Sequence, residues 1–95
     1  MLEFEWNKEK AELNLTKRKI SFEEAKTAFY DKSGIFYFDK KHSQDEKRYN
    51  LIGKTVSNKM VTISFTIRGY NYRIISCRHA NKKEKSKYEE RNKIY

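Results

Sequence analysis

Residues 72–84 read Y-R-I-I-S-C-R-H-A-N-K-K-E, an apolar strand that runs directly into a basic helix. The strand has isoleucines at its centre, but it also carries Arg73 and Arg78, where a plain core strand would have more Val or Ile. A guanidinium is always charged and offers five donors, so an arginine on a rigid strand is suited to binding phosphate or carboxylate. The stretch therefore predicts a sheet that binds an anion.

The charge of the chain is large and unevenly distributed. Its 95 residues have a net charge of +9, with −1 in residues 1–31 and +10 in residues 32–95. This asymmetry favours a polyanionic partner, and nucleic acid before membrane, because no basic helix with a wide apolar face is visible. The alternative is ordinary solubility charge.

Length and composition predict one small domain over residues 1–95, with no room for a deep cofactor pocket. No segment approaches the roughly 18 apolar residues of a membrane span, and the first residues include Glu3 and Glu5 rather than a basic signal region. We therefore expect a soluble, cytoplasmic protein.

The single cysteine, Cys77, excludes an internal disulfide and is predicted to be a small buried apolar side chain. The alternative is thiol chemistry, or a metal bound together with His79 at Cys-x-His spacing. A metal would need further ligands, and His42 is the one other histidine. We therefore expect no metal and no cofactor.

The N-terminal third predicts a strand and two helices. Residues 2–6, L-E-F-E-W, alternate apolar and acidic side chains, with the apolar ones inward. Asn7 is a typical N-cap for a helix over residues 8–17. Ser21 and Glu24 fit the S-x-x-E capping box of a second short helix, which is predicted to pack against the first as a hairpin.

The rest of the chain predicts a sheet and a last helix. The predicted strands cover residues 35–39, 48–56, 60–68 and 72–78. In the strand over residues 60–68, apolar and polar side chains alternate strictly, so one face of the strand packs and the other is polar. Residues 79–95 have helical composition and a net charge of +3. This segment is a solvated tail, an RNA-contacting element or a docking surface. The expected class is α+β, with an N-terminal strand and two short helices packed on an antiparallel sheet and a basic C-terminal helix.

A series of short motifs runs along nearly the whole chain. It comprises F-E-W-N at 4–7, S-F-E-E-A at 21–25, F-Y-D at 29–31, D-E-K-R-Y at 45–49, and R-I-I-S-C-R at 73–78 with Ala80, Glu84 and Tyr88. In order and spacing this series resembles the BrnT toxin family. The resemblance implies a RelE-like fold and a ribonuclease activity that arrests growth by cutting RNA, most simply messenger RNA. It also implies a BrnA-type antitoxin with a ribbon-helix-helix domain, in a hetero-oligomer, for example 2:2, that binds operator DNA through the antitoxin.

Two departures from the family pattern follow the first helix. The family commonly reads K-H-G where this chain has Lys17, Arg18 and Lys19, so a proton-transfer role for that histidine cannot be carried over. If Lys19 occupies the left-handed cap that glycine usually takes, the cost is about 1 kcal/mol. Cys77 stands where alanine is usual.

RNA cleavage by attack of the 2′-hydroxyl on its own phosphate needs groups that stabilise a dianionic phosphorane, and arginines are suitable. The candidates are Arg48, Arg68, Arg73 and Arg78, each with a structural ion pair as the alternative. Strand alternation predicts Arg73 and Arg78 on opposite faces, one in the cleft and the other paired with Glu46 or Glu84. Glu46 is a candidate general base if burial raises its pKa, with an arginine partner as the alternative.

Further candidates for RNA binding lie on the two longer helices. Lys10, Asn14 and Lys17 fall at i, i+4 and i+7, with Arg18 beside them, and they line the RNA groove or face solvent. Tyr88 either stacks on a base or packs the last helix against the sheet. Two other functions remain open, a non-enzymatic RNA-binding module and a protein that docks an acidic partner, because both need the same basic surface.

Overall fold

The computed structural model describes residues 2–93. These form five strands, three α-helices and two 3₁₀ turns, which occur along the chain as β1 (Glu3–Trp6), α1 (Lys8–Arg18), α2 (Phe22–Ala25), a 3₁₀ turn (Lys26–Tyr30), β2 (Ile35–Phe38), a 3₁₀ turn (Lys40–His42), β3 (Tyr49–Lys54), β4 (Met60–Arg68), β5 (Asn71–His79) and α3 (Lys82–Arg91). None of the helices in residues 2–93 is long and apolar enough to cross a membrane.

The strands form one sheet in the order β1-β5-β4-β3-β2. Strands β2 to β5 are antiparallel neighbours, whereas β1 pairs with β5 in parallel. The α+β class is confirmed, and β1 is added in parallel at the edge of the antiparallel sheet. Because β1 reaches β5 from the far end of the chain, no hairpin turn constrains its direction.

The core lies between one face of the sheet and the segment from α2 to Tyr30. Phe22 and Phe29 from that segment are buried against Phe65 of β4 and Ile74 of β5. Phe29 and Phe65 meet edge to face, with ring centroids 5.0 Å apart. The predicted inward residues of β1 pack against this cluster, which confirms the alternation of residues 2–6.

A β-bulge in β5 sets the direction of both of its arginines. Phe65 pairs with Ile74 and Ser64 pairs with Ser76, so Ile75 is the extra residue. Thr66 and Thr62, which share one face of β4, pair with Arg73 and Arg78. Both arginines therefore lie on the same, polar face, and the prediction of opposite faces is wrong because a bulge shifts the alternation by one residue.

The capping box of α2 and the start of α3 differ from the prediction. The hydroxyl of Ser21 caps α2 by accepting from the backbone of Glu24 at 3.0 Å, but the Glu24 carboxylate accepts from Thr55 Oγ1 at 2.9 Å instead of closing a capping box. A complete capping box starts α3, between Asn81 and Glu84. The last helix therefore begins at Lys82 rather than at residue 79, and it ends at Arg91; residues 94 and 95 of the predicted helix lie outside the described residues.

Candidate functional site

The polar face of the sheet contains a cavity of about 220 Å³ that we call the cationic groove. It is lined by Asn7, Lys10, Glu46, Arg48, Thr66, Arg68, Arg73 and Ile75. Arg73 lies directly across from Thr66, and Arg68 is two residues further along β4, so the pleat aims all three side chains to the same side. The sequence candidates Arg48, Arg68 and Arg73 therefore meet at one site, with Lys10 from α1 beside them.

Two of these arginines are held by carboxylates. Arg73 Nη1 donates to Glu5 Oε2 at 2.7 Å, and Asn71 donates to the other oxygen of Glu5 at 3.0 Å. These hydrogen bonds, first from Asn71 and then from Arg73, lower the pKa of Glu5. The sequence did not predict this role for Glu5. The register of β1 beside β5 places Glu5 opposite Arg73.

Glu46 holds Arg68 in the same way. Arg68 Nε and Nη2 donate to the two Glu46 oxygens at 3.0 and 3.2 Å. The hydrogen bond from Arg68 lowers the pKa of Glu46, and the carboxylate is exposed rather than buried. The structure therefore favours the arginine partner, the alternative given for Glu46, over the general base, because Arg68 stabilises the charged form.

Arg48 is positioned by its backbone and keeps its guanidinium free. Its N–H donates to Ser43 Oγ at 2.9 Å, and its carbonyl accepts from Asp39 N–H at 2.8 Å. In the described part of the chain, no carboxylate lies within 4 Å of the Arg48 guanidinium. This cation can therefore meet an incoming phosphate without first leaving a partner.

The basic residues of α1 extend the cationic groove. A second cavity, of about 270 Å³, is lined by Lys10, Leu13, Asn14, Lys17, Arg18, Ile75 and Ser76. The two cavities share Lys10 and Ile75, so a band of positive charge runs from the sheet along α1.

Asn14 has a structural role instead of the predicted RNA contact. It is 8% exposed, its Oδ1 accepts from Cys77 N–H at 3.0 Å, and its Nδ2 donates to the carbonyl of Ile20 at 3.0 Å. Cys77 lies on β5 beyond the end of β1, so the Asn14 amide replaces a missing neighbouring strand. Both ends of this buried amide are already bonded, which favours the structural role over the predicted RNA contact.

Arg78 is bound to the last helix instead of lining the cationic groove. Its Nη1 and Nη2 donate to the two oxygens of Glu84 at 2.7 and 2.9 Å. Burial alone would raise the pKa of Glu84, but hydrogen bonds from Arg78 and from Asn81 N–H outweigh it and lower the pKa. This geometry favours the ion pair that the sequence left open over the catalytic role.

Tyr88 is likewise part of the fold. It is 7% exposed, and its hydroxyl donates to Asp31 Oδ2 at 2.8 Å, which fastens α3 to the end of the first 3₁₀ turn. Burial and this carboxylate raise the pKa of Tyr88 to about 12. The covered ring favours the packing role that the sequence left open over base stacking.

Cys77 matches its prediction. The side chain is fully buried in the core, and burial raises the pKa of its thiol to about 12. A thiol with this pKa remains protonated near neutral pH and is a poor nucleophile.

The loop between β2 and β3 contains a feature that sequence reasoning missed. A cavity of about 390 Å³ is lined by Lys41, His42, Gln44, Asp45, Glu46 and Arg48, and it shares its last two residues with the cationic groove. We call it the His42 cavity. His42 Nδ1 lies 2.9 Å from Asp39 Oδ2. The only signal in the sequence is the D-x-x-H spacing, which is too common in loops to indicate a site.

Together, the fold and the groove define a small α+β protein with an arginine-rich sheet face suited to phosphate. A solved structure with a similar fold is the Brucella abortus ribonuclease toxin, BrnT, determined at 1.1 Å; it aligns with a TM-score of 0.67 and 19% identity, over 86% of this chain and 100% of that chain. No curated protein sequence gives a match. The family model described as "Ribonuclease toxin, BrnT, of type II toxin-antitoxin system" matches residues 6–84, and the chain belongs to this family.

Proposed function

We propose that the chain is an endoribonuclease that cuts messenger RNA without a metal ion, by attack of a 2′-hydroxyl on the neighbouring phosphate. The observation that carries the proposal is the meeting of Arg48, Arg68 and Arg73 in one groove. Carboxylates orient Arg68 and Arg73, and Arg48 has no carboxylate partner within the described residues.

The substrate strand lies along the band of positive charge. In the proposed complex, phosphates of a single strand contact Lys10, Lys17 and Arg18 of α1, and the scissile phosphate sits among the arginines of the sheet. Such contacts position the backbone without selecting a base sequence. The affinity falls as salt rises, with a log–log slope of about −0.7 per phosphate neutralised on a single strand.

The arginines stabilise the charge that develops in the reaction. As the 2′-oxygen forms its bond to phosphorus, the bond to the 5′-oxygen breaks, and the phosphorane between them carries two negative charges. Arg73 and Arg68 are held by Glu5 and Glu46, so their donors are oriented before the substrate arrives. The products are a 2′,3′-cyclic phosphate and a 5′-hydroxyl end.

The partner side of the proposal follows from the family. A toxin of the type II class has a protein antitoxin, and we propose that this one is of the BrnA type, with a ribbon-helix-helix domain. The two proteins form a hetero-oligomer in the cytoplasm that binds operator DNA through the antitoxin. Measuring the mass of the co-expressed complex and its operator binding tests this part, and an antitoxin without a ribbon-helix-helix domain would contradict it.

The cleavage itself is tested by incubating the purified chain with a long messenger RNA in EDTA. We expect cuts with 5′-hydroxyl ends, and a rate about 10²- to 10³-fold lower for Arg68→Ala and Arg73→Ala, the usual loss when one preorganised donor is removed. Arg91→Ala, at the exposed end of α3, is the matched control and should cleave like the parent chain. Cleavage that requires a divalent metal, or that survives both groove substitutions, would contradict the mechanism.

A further inference from the structure

The proposed reaction, on which this inference rests, needs a group that removes the proton of the 2′-hydroxyl. The cationic groove does not supply it. Its arginines remain protonated. The hydrogen bond from Arg68 lowers the pKa of Glu46, and those from Asn71 and Arg73 lower the pKa of Glu5, which weakens both carboxylates as bases. The base must therefore come from a surface that adjoins the groove.

His42 lies on such a surface. The His42 cavity and the cationic groove share Glu46 and Arg48, so the imidazole lines the space next to the unpaired guanidinium. Its side chain is 57% exposed, whereas the Asp39 side chain beside it is 15% exposed. The imidazole can therefore reach a substrate while its partner stays within the protein.

The Asp39 carboxylate selects the tautomer of His42. Nδ1 is the nitrogen that contacts Asp39 Oδ2, at 2.9 Å, so it carries the proton and Nε2 is left with a free lone pair. Burial alone would raise the pKa of Asp39, but hydrogen bonds from His42 and Asn50 outweigh it and lower the pKa. The carboxylate is therefore an anion when the imidazole is neutral.

The loop is built to hold this pair. His42 N–H also donates to Asp39 Oδ1, at 3.3 Å, and the Ser43 hydroxyl donates to the Asp39 carbonyl at 2.5 Å. The same hydroxyl accepts from Arg48 N–H, and Asp39 N–H donates to the Arg48 carbonyl. One hydrogen-bonded turn thus fixes the histidine, its carboxylate and the free arginine relative to one another.

We propose that His42 is the general base of RNA cleavage and that Asp39 is its positioning residue. Nε2 takes the proton of the 2′-hydroxyl while the 2′-oxygen forms its bond to phosphorus. The bond from phosphorus to the 5′-oxygen breaks with its electron pair on oxygen, and that oxygen takes a proton from a water of the open cavity. The hydroxide left behind is neutralised by the proton on the imidazolium, so the enzyme returns to its starting state.

A general base accepts a proton only in its unprotonated form, so the pH–rate profile tests the assignment. The charged groups around the imidazole are Asp39, Lys41, Asp45, Glu46 and Arg48. Cleavage rises with pH as the imidazole loses its proton. Asp39→Asn should reduce the maximal rate without weakening RNA binding, because the amide no longer fixes the tautomer and orientation of the imidazole.

The experiment compares the parent chain with His42→Gln, Asp39→Asn and His42→Ala on messenger RNA in EDTA, from pH 5 to 9. We expect His42→Gln to be slower by about 10²- to 10⁴-fold, the usual contribution of one positioned proton-transfer group, and to lose the acid-side rise. The affinity of His42→Gln for a 2′-O-methyl RNA, which cannot react, should stay within about twofold of the affinity of the parent chain. Added imidazole should partly restore His42→Ala, and His79→Gln is the matched control.

The outcomes separate this assignment from the proposed function. If the parent cuts RNA and His42→Gln has the same rate and pH profile, the ribonuclease proposal stands and the role of His42 is overturned. A loss of rate matched by an equal loss of affinity for the 2′-O-methyl RNA also overturns it, because His42 would then only bind. If the parent leaves RNA intact, both alone and in a translating extract, the proposed function fails and the assignment fails with it.

Discussion

The Arg68 guanidinium donates two hydrogen bonds to one carboxylate, that of Glu46, at 3.0 and 3.2 Å. This carboxylate lines the cationic groove and the His42 cavity at once. An RNA phosphate that enters the groove therefore meets a cation whose charge is already balanced. Glu46 orients Arg68, and it also repels the polyanion that Arg68 is proposed to bind.

Glu46→Gln should separate these two effects. Without the negative charge, we expect RNA to bind about two- to fivefold more tightly at low salt, because an exposed charge has a modest influence. Cleavage per bound RNA should fall, since Arg68 loses its fixed orientation. Fluorescence anisotropy with 2′-O-methyl RNA measures the affinity, and Glu23→Gln, in α2 across the sheet, is the control. Weaker binding by Glu46→Gln would show that orientation outweighs repulsion.

Asn14→Ala should destabilise the fold. The substitution leaves the N–H of Cys77 and the carbonyl of Ile20 without their partner in the interior. We expect a loss of about 2 to 4 kcal/mol in the free energy of unfolding, because each buried unsatisfied group costs about 1 to 3 kcal/mol. Urea denaturation measures this, with Lys17→Ala on the exposed side of α1 as the control. Equal stability of the two variants would contradict the structural role of Asn14.

Lys19→Gly should stabilise the chain. Lys19 ends α1 with φ 61° and ψ 28°, a left-handed conformation, as the comparison with the K-H-G pattern predicts. Removing the side chain relieves a penalty of about 1 kcal/mol at this position. Lys17→Gly, inside the same helix, should instead destabilise by about 1 kcal/mol. Thermal unfolding should give a higher midpoint than the parent for Lys19→Gly and a lower one for Lys17→Gly. A shift of both midpoints in the same direction would contradict the argument.

Glu84→Gln should remove part of the acid sensitivity of the fold. The folded-state pKa of Glu84 lies below its ordinary value of 4.5, so the carboxylate contributes stability above pH 4.5 and loses it as the pH falls through the folded-state pKa. We expect the variant to be less stable by about 1.5 to 3 kcal/mol at pH 7, the usual range for hydrogen bonds to a charged group, with the gap narrowing in acid. Glu89→Gln, on the exposed side of α3, is the control. A difference in stability between the parent and Glu84→Gln that does not change with pH would contradict the lowered pKa of Glu84.

Local patterns in the sequence predicted most of the elements. The strand over residues 60–68 matches β4, and Asn7 and Ser21 cap their helices as expected. These features depend on a residue and its near neighbours, through alternation, capping and the left-handed cap at Lys19. The family resemblance rests on the same kind of local motif.

The candidate site depended on register between distant segments. The bulge at Ile75 brings Arg73 and Arg78 to one face, yet nothing in residues 72–78 marks it, because a bulge is defined by the neighbouring strand. Tertiary packing likewise decided which arginines have partners, and it buried Asn14 and Tyr88.

The sequence by itself determined the class, the N-caps of the first two helices and the presence of cations on the strands of the sheet, because these follow from neighbours in the chain. Only the tertiary structure decided which cations share a groove, that Glu46 is an ion-pair partner, and that the His42 cavity adjoins that groove. The reason is physical: hydrogen bonding and burial set the pKa and the orientation of a side chain, and both come from residues that are far apart in the chain.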